Sequence, residues 1–126
     1  MPSSNGHATA PALARIMALL ACDGRLDGQT LLSPGLAAQV MAERISGPDL
    51  VLPRAVSWAA GLMRNRFEPV YGPNPLAVGH YGWGGSCAFA DAQRRLSGAY
   101  VMNRQSVHLV GDPRAIALIE AAYQGL

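Results

Sequence analysis

The chain has 126 residues, which fits one ordinary domain and leaves no room for a second complete one. Half of the residues are hydrophobic and 14% are charged, a balance that predicts a packed core and excludes a disordered chain. The formal net charge is +2, and the basic residues are scattered without forming a stripe, so nucleic acid is excluded as a partner. All ten basic residues are arginine, and the sequence contains no lysine.

The cysteines and histidines do not form a metal-binding pattern. Cys22 and Cys87 make no CxxC pair, and no histidine has ligand spacing to either of them. We therefore expect no metal and no other cofactor, and two free thiols in a reducing compartment. The N-terminus lacks a positive segment before an apolar run, and no stretch reaches the about 18 apolar residues that span a bilayer. These patterns predict an unprocessed, soluble, cytoplasmic chain without a membrane partner.

The first predicted element is a helix that begins after Thr9, whose hydroxyl can cap the helix N-terminus. Gly24 is expected to end it. The apolar residues between these limits follow the i, i+3, i+4, i+7 spacing of a helix with one buried face: Leu13, Ile16, Met17 and Leu20. Residues 24–29 contain two glycines and predict a turn.

A second helix is predicted from Ser33-Pro34 to about Arg44, because serine favours the cap position and proline the first helical position. The segment 46–49 then breaks that helix. Residues 56–63 are rich in β-branched and aromatic side chains and predict a single strand. A loop follows, since it holds Pro69, Gly72, Pro73 and Pro75.

The second half of the chain is predicted to be largely β. A short strand at 77–82 precedes a hairpin formed by strands 86–91 and 96–103 around a turn at 92–95. Asp112-Pro113 opens a terminal helix with an apolar face made of Ile116, Ile119, Tyr123 and Leu126. The element order predicts an α+β fold, an antiparallel sheet with flanking helices.

The segment Gly79–Ser86 holds the residues that could carry chemistry. Four glycines lie here beside His80 and Trp83, where backbone must turn sharply or approach another group closely. Composition leaves two alternatives open, a functional edge or a glycine-rich hairpin that binds nothing. The spacing is not a G-x-G-x-x-G fingerprint, and Ser86 is not part of a G-x-S-x-G elbow.

His80-Tyr81-Gly82-Trp83-Gly84-Gly85-Ser86, continued by residues 88–91 and 99–104, resembles the third motif region of family VIII esterases and class C β-lactamase relatives. Residues 9–20, 24–34 and 111–123 are also similar to the last third of that family. The resemblance implies that residues 1–126 form a single partial domain, the C-terminal part of the β-lactamase/transpeptidase-like fold. It implies a serine hydrolase that acts by acyl transfer on a small acyl ester or a β-lactam.

The resemblance also implies roles for four residues on an edge strand that faces the nucleophile. His80 takes the first position of a Lys-Thr-Gly or His-Thr-Gly triplet and orients the acyl compound. Gly82 lets the substrate lie against the strand, and the Trp83 N–H is one of two oxyanion-hole donors. Tyr81 replaces a Thr or Ser that contacts a substrate carboxylate in β-lactam binders, which favours neutral esters.

The family's nucleophile lies in Ser-x-x-Lys, which a chain without lysine cannot contain, and its Tyr-x-Asn partner is absent too. No catalytic residue is therefore assigned to this chain alone. A cryptic dyad of His80 with Ser86 or Cys87 is disfavoured, since no acid is placed to orient the histidine. Two hypotheses follow: a fragment that is inactive without an N-terminal catalytic segment, or a non-catalytic module that self-associates or binds a partner.

Overall fold

The computed structural model describes residues 6–126 of the chain. Three helices and eight strands follow one another in the order α1 (Ala10–Ala21), β1 (Arg25–Leu26), β2 (Gln29–Thr30), α2 (Leu36–Met41), β3 (Ile45–Pro48), β4 (Ala55–Trp58), β5 (Met63–Arg64), β6 (Val78–Tyr81), β7 (Cys87–Asp91), β8 (Leu96–Tyr100) and α3 (Pro113–Gln124). The first two strands form a small hairpin, and the other strands form a six-stranded sheet. The α+β prediction is confirmed.

The large sheet is an antiparallel meander in which each strand pairs with the next one along the chain, from β3 to β8. Because side chains alternate between the faces of a strand, β7 contributes to two separate cores. Cys87 and Phe89 pack with Ala115 and Ile119 of α3 on one face. Ala90 packs with α1 on the other face. The sheet is therefore covered by a helix on each side.

Helix α1 begins where the sequence predicts, because the Thr9 hydroxyl accepts a hydrogen bond from the Ala12 N–H. Met17 and Ala21 are buried against the sheet. The prediction that Ile16 lies on the buried face is wrong, since 60% of its surface is exposed. The buried face of the helix is narrower than the apolar pattern, and Ala21 completes it.

Helix α3 is also confirmed, with the Asp112 carboxylate accepting from the Arg114 N–H at its N-terminus. Ile119 is buried, and the Tyr123 hydroxyl donates to the Asp91 carboxylate at 2.6 Å. Leu126 does not extend this face as predicted, because it lies beyond the end of the helix and is 70% exposed.

The middle of the chain differs from the prediction in three places. The second helix is shorter, since Gly35 takes a left-handed conformation (φ 76°) that excludes Ser33 and Pro34, and Ala42 is already extended. The predicted helix breaker at 46–49 lies largely in edge strand β3, where proline is tolerated because the outer side needs no donor.

The predicted strand 56–63 is two strands, β4 and β5. Gly61 has a positive φ of 75°, and the Ala59 N–H donates to the Leu62 carbonyl at 2.8 Å, which closes a turn between them. The last predicted strand is also too long at its end, because β8 stops at Tyr100. Among the helices of residues 6–126, none is long and apolar enough to cross a membrane.

Candidate active-site wall

The centre of the candidate site is the tight connection between β6 and β7. The Gly82 N–H donates to the Ser86 carbonyl at 2.7 Å, and the Gly85 N–H donates to the Gly82 carbonyl at 3.2 Å. The second bond closes a four-residue turn with Trp83 and Gly84 at its tip. Gly84 has a φ of 91°, which the third position of a type II turn requires. The backbone conformation of the turn therefore explains the glycine at position 84.

The resemblance implied that His80 lies on an edge strand, and this expectation is wrong. Strand β6 lies inside the sheet, between β5 and β7. However, β5 pairs only with Val78 and Gly79, whereas β7 pairs with all four residues of β6. His80 and Tyr81 thus have no β5 partner within residues 6–126, and the second half of β6 behaves as a local edge. We call this gap, beside residues 80–82, the β6 notch.

His80 lies at the β6 notch with its side chain exposed. The imidazole packs beside the Trp58 indole of β4, with ring centroids 5.9 Å apart. Its Nδ1 lies 2.7 Å from the Tyr81 carbonyl oxygen. Because a carbonyl oxygen can only accept, this contact places the proton on Nδ1 and leaves Nε2 for another group.

Tyr81 points to the opposite face of the sheet from His80, into the core beneath α3. It is buried, its ring stacks on Tyr71 with centroids 5.4 Å apart, and its hydroxyl donates to the Val70 carbonyl at 3.0 Å. Burial raises the pKa of this phenol well above its usual value. Tyr81 therefore offers only its backbone to the β6 notch.

Trp83 lies at the tip of the turn with 74% of its surface exposed. Its N–H occupies the second position of the turn, which the closing hydrogen bond does not use. Among the turn and loop hydrogen bonds of residues 6–126, none uses this N–H as a donor. Beside the β6 notch, Trp83 thus carries a backbone N–H that no turn or loop hydrogen bond of residues 6–126 uses.

Cys87 and Ser86 do not form a dyad with His80. Cys87 is buried on the α3 face with Tyr81, and burial raises the pKa of its thiol to about 11. Ser86 belongs to the turn, and no hydrogen bond joins it to His80 within the part of the chain that the structure describes. His7 and His108 are exposed and lie outside residues 80–86, and residues 6–126 contain no cluster of three metal-ligating side chains.

Comparison with known proteins identifies the family. The family model named Beta-lactamase matches residues 1–122. The chain belongs to the beta-lactamase family. A crystal structure described as a novel penicillin-binding protein homologue from Caulobacter crescentus is 60% identical and has a TM-score of 0.95. The crystal structure of a family VIII carboxylesterase is 40% identical and has a TM-score of 0.86.

These beta-lactamase relatives are much longer than the chain. The match covers 99% of this chain and 34% of the penicillin-binding protein homologue. It covers 90% of this chain and 31% of the carboxylesterase. A search of curated proteins finds no match to this chain. The chain therefore spans about a third of the length of its solved beta-lactamase-family relatives.

Sequence patterns did not reveal the residues that hold the turn between β6 and β7 in place. The Asp112 carboxylate is fully buried and accepts from the Ser106 hydroxyl at 2.6 Å and from the Arg114 guanidinium at 2.8 Å. Hydrogen bonds from Arg114 and Ser106 hold the pKa of this carboxyl well below its usual range. Asp112 before Pro113 predicts a helix cap, and nothing local shows that the same carboxylate lies against Gly85.

Proposed function

We propose that this chain forms one wall of the acyl-binding site of a beta-lactamase-related serine hydrolase that acts on neutral esters. The wall consists of His80, Gly82 and Trp83 at the β6 notch. It becomes catalytic together with a polypeptide that carries Ser-x-x-Lys and Tyr-x-Asn, which a sequence without lysine does not supply. The observation that carries the proposal is the Trp83 N–H beside the β6 notch, which no turn or loop hydrogen bond of residues 6–126 uses.

The proposed chemistry is acyl transfer to the serine of the partner polypeptide. The serine oxygen attacks the ester carbonyl as its proton passes to the lysine of Ser-x-x-Lys, and the carbonyl oxygen becomes an oxyanion to which the Trp83 N–H donates. A donor of this kind contributes about 2.7 to 4 kcal/mol to the transition state. The second donor in this scheme is the N–H of the nucleophile itself. Collapse of this intermediate breaks the ester C–O bond, the alcohol leaves with the proton, and the acyl group stays on the serine. His80, whose Nε2 makes no hydrogen bond within residues 6–126, orients the substrate at the open end of the notch.

The preference for esters follows from Tyr81. β-Lactam binders of the family present a small hydroxyl at this position to a substrate carboxylate, whereas the Tyr81 hydroxyl is buried and bonded to Val70. No side-chain hydroxyl of residue 81 therefore reaches a carboxylate in the notch. The 40% identity to a family VIII carboxylesterase supports the same substrate class.

Complementation tests the proposal. The purified chain alone is expected to hydrolyse neither p-nitrophenyl butyrate nor a chromogenic cephalosporin above buffer background. When mixed with the part of the Caulobacter crescentus homologue that it does not cover, it is expected to hydrolyse the ester. Turnover by the chain alone that is lost in Ser86→Ala or Cys87→Ala would show a dyad and contradict the proposal.

Substitutions in the complemented pair test the individual roles. His80→Ala is expected to lower kcat/KM by about 10 to 100-fold, a range at or below that usual for a positioned acid–base side chain. Trp83→Phe keeps the N–H and is expected to have a milder effect, whereas Trp83→Pro removes it and is expected to cost about 100-fold or more. His7→Ala is the matched control at an exposed histidine. An active pair in which all the wall variants equal the control would refute the assignment.

A further inference from the structure

We propose that Asp112 and Ser106 are positioning residues for the oxyanion donor of Trp83. This inference rests on the proposed function, because it concerns the same N–H. Neither side chain lies in β6 or in the turn. Both act from the loop between β8 and α3 and from the N-terminus of α3.

Two peptide units of the turn connect this loop to the donor. The Gly84 carbonyl accepts from the Ser106 N–H at 2.9 Å. The N–H of that same peptide unit belongs to Gly85 and donates to the Gly82 carbonyl at 3.2 Å. The Gly82 carbonyl and the Trp83 N–H are the two ends of one planar peptide. Holding that carbonyl therefore fixes the direction in which the Trp83 N–H points.

Asp112 holds Ser106 in the position from which its N–H donates to the Gly84 carbonyl. Its Oδ2 accepts from the Ser106 hydroxyl at 2.6 Å, and its Oδ1 accepts from the Arg114 N–H at 2.9 Å. The Arg114 guanidinium also donates to the Arg104 carbonyl at 2.9 Å, which ties the loop to the helix. Every oxygen of this buried carboxylate is thus bonded, and the loop cannot move without breaking these bonds.

Close packing adds a second restraint on the turn. Gly85 has a φ of 110°, and a Cβ at this position would overlap the Asp112 carboxylate. The turn is therefore pressed against Asp112 and hydrogen-bonded through Ser106. An oxyanion donor must be fixed before the reaction, because reorienting it during catalysis costs free energy. The Ser106–Asp112 pair supplies that fixed orientation.

Amide hydrogen exchange on the ¹⁵N-labelled chain tests the restraint without requiring activity. Ser106→Ala breaks the link to Asp112 and is expected to accelerate exchange of the Gly85 N–H about 10-fold and to shift the Trp83 amide resonance. Ser106→Thr keeps the hydroxyl and is expected to retain both properties. Ser97→Ala is the matched control, since the Ser97 hydroxyl donates to the Ala14 carbonyl at 2.9 Å, far from the turn. Unchanged exchange of the Phe89 N–H in β7 shows that the variant is folded.

Kinetics of the complemented pair test whether this restraint serves catalysis. Ser106→Ala is expected to lower kcat about 10-fold and to leave KM within about twofold, because the donor acts mainly in the transition state. Ser106→Thr is expected to restore kcat. An inactive pair with the unmodified chain refutes the proposed function, while the exchange result still decides whether Ser106 holds the turn. Unchanged Gly85 exchange in Ser106→Ala, or altered exchange with unchanged kcat, overturns the inference.

Discussion

At the scale of single residues, Glu43 is the most heavily bonded surface carboxylate. It accepts from the Arg66 guanidinium at 2.7 Å, from the Ser57 hydroxyl at 2.7 Å and from the Ser46 hydroxyl at 3.2 Å. These donors, Arg66 first, lower the pKa of Glu43 to about 2. Glu43 falls within the predicted second helix, and no local pattern shows its partners Ser57 of β4 and Arg66 after β5, which lie 14 and 23 positions away along the chain.

The lowered pKa predicts a pH dependence of stability. A carboxyl whose pKa is lower in the folded than in the unfolded chain stabilises the fold above its unfolded value, here 4.5, and this contribution is lost as pH falls toward 2. We expect the urea midpoint of the unmodified chain to fall as pH decreases over this interval. The midpoint of Glu43→Gln is expected to fall less. Urea titrations at several pH values measure the effect. Parallel curves for both proteins would show that Glu43 does not contribute.

At the scale of elements, the predictable parts are those whose signals are local. Helix α1 has the Thr9 cap, α3 has Asp112-Pro113, and the β7–β8 hairpin has two strand-like segments spaced around the turn at 92–95. Strands β3 and β5 are short and form only because neighbouring strands pair with them. Likewise, the incomplete pairing of β5 with β6, which creates the notch beside His80, depends on register and has no local signal.

The packing of α3 makes a second stability prediction. Ile119 is 5% exposed in the core beneath the sheet, whereas its neighbour Leu118 is 58% exposed. Ile119→Ala is therefore expected to lower the free energy of unfolding by about 2 to 5 kcal/mol. Leu118→Ala is the matched control and is expected to change it by about 0.5 kcal/mol or less. Denaturant midpoints measure both, and equal midpoints would show that α3 is not docked by Ile119.

At the scale of the whole molecule, an exposed apolar patch on the β3–β4 hairpin is connected to the proposed wall through Trp58. Leu50 and Val51 are 102% and 88% exposed, and Ile45 of β3 pairs with Trp58, which packs on His80. The loop between β3 and β4, which carries Leu50 and Val51, is held in place because the Asp49 carboxylate accepts from the Val51 N–H at 2.8 Å and from the Trp58 indole at 3.1 Å. Ordered, exposed apolar side chains mark a binding surface.

We propose that the occupant of this patch is the polypeptide that carries Ser-x-x-Lys and Tyr-x-Asn, since the chain covers 34% of its relative from Caulobacter crescentus and Trp58 connects the patch to His80 of the wall. Light scattering after size exclusion is then expected to show a one-to-one complex of the two polypeptides. Leu50→Asp with Val51→Asp is expected to weaken this complex about 10-fold or more, because charges would be buried in the interface.

The matched control is Leu126→Asp, at an apolar residue that is 70% exposed and lies beyond α3, on a different element from the patch. It is expected to leave the affinity within about twofold, since isolated exposed apolar residues contribute little to binding. A stable dimer of the chain alone, dissociated by the patch substitutions and indifferent to the added polypeptide, would instead show a self-associating module. In that case, the apolar patch joins two copies of the chain, and the wall at His80 has no nucleophile to face.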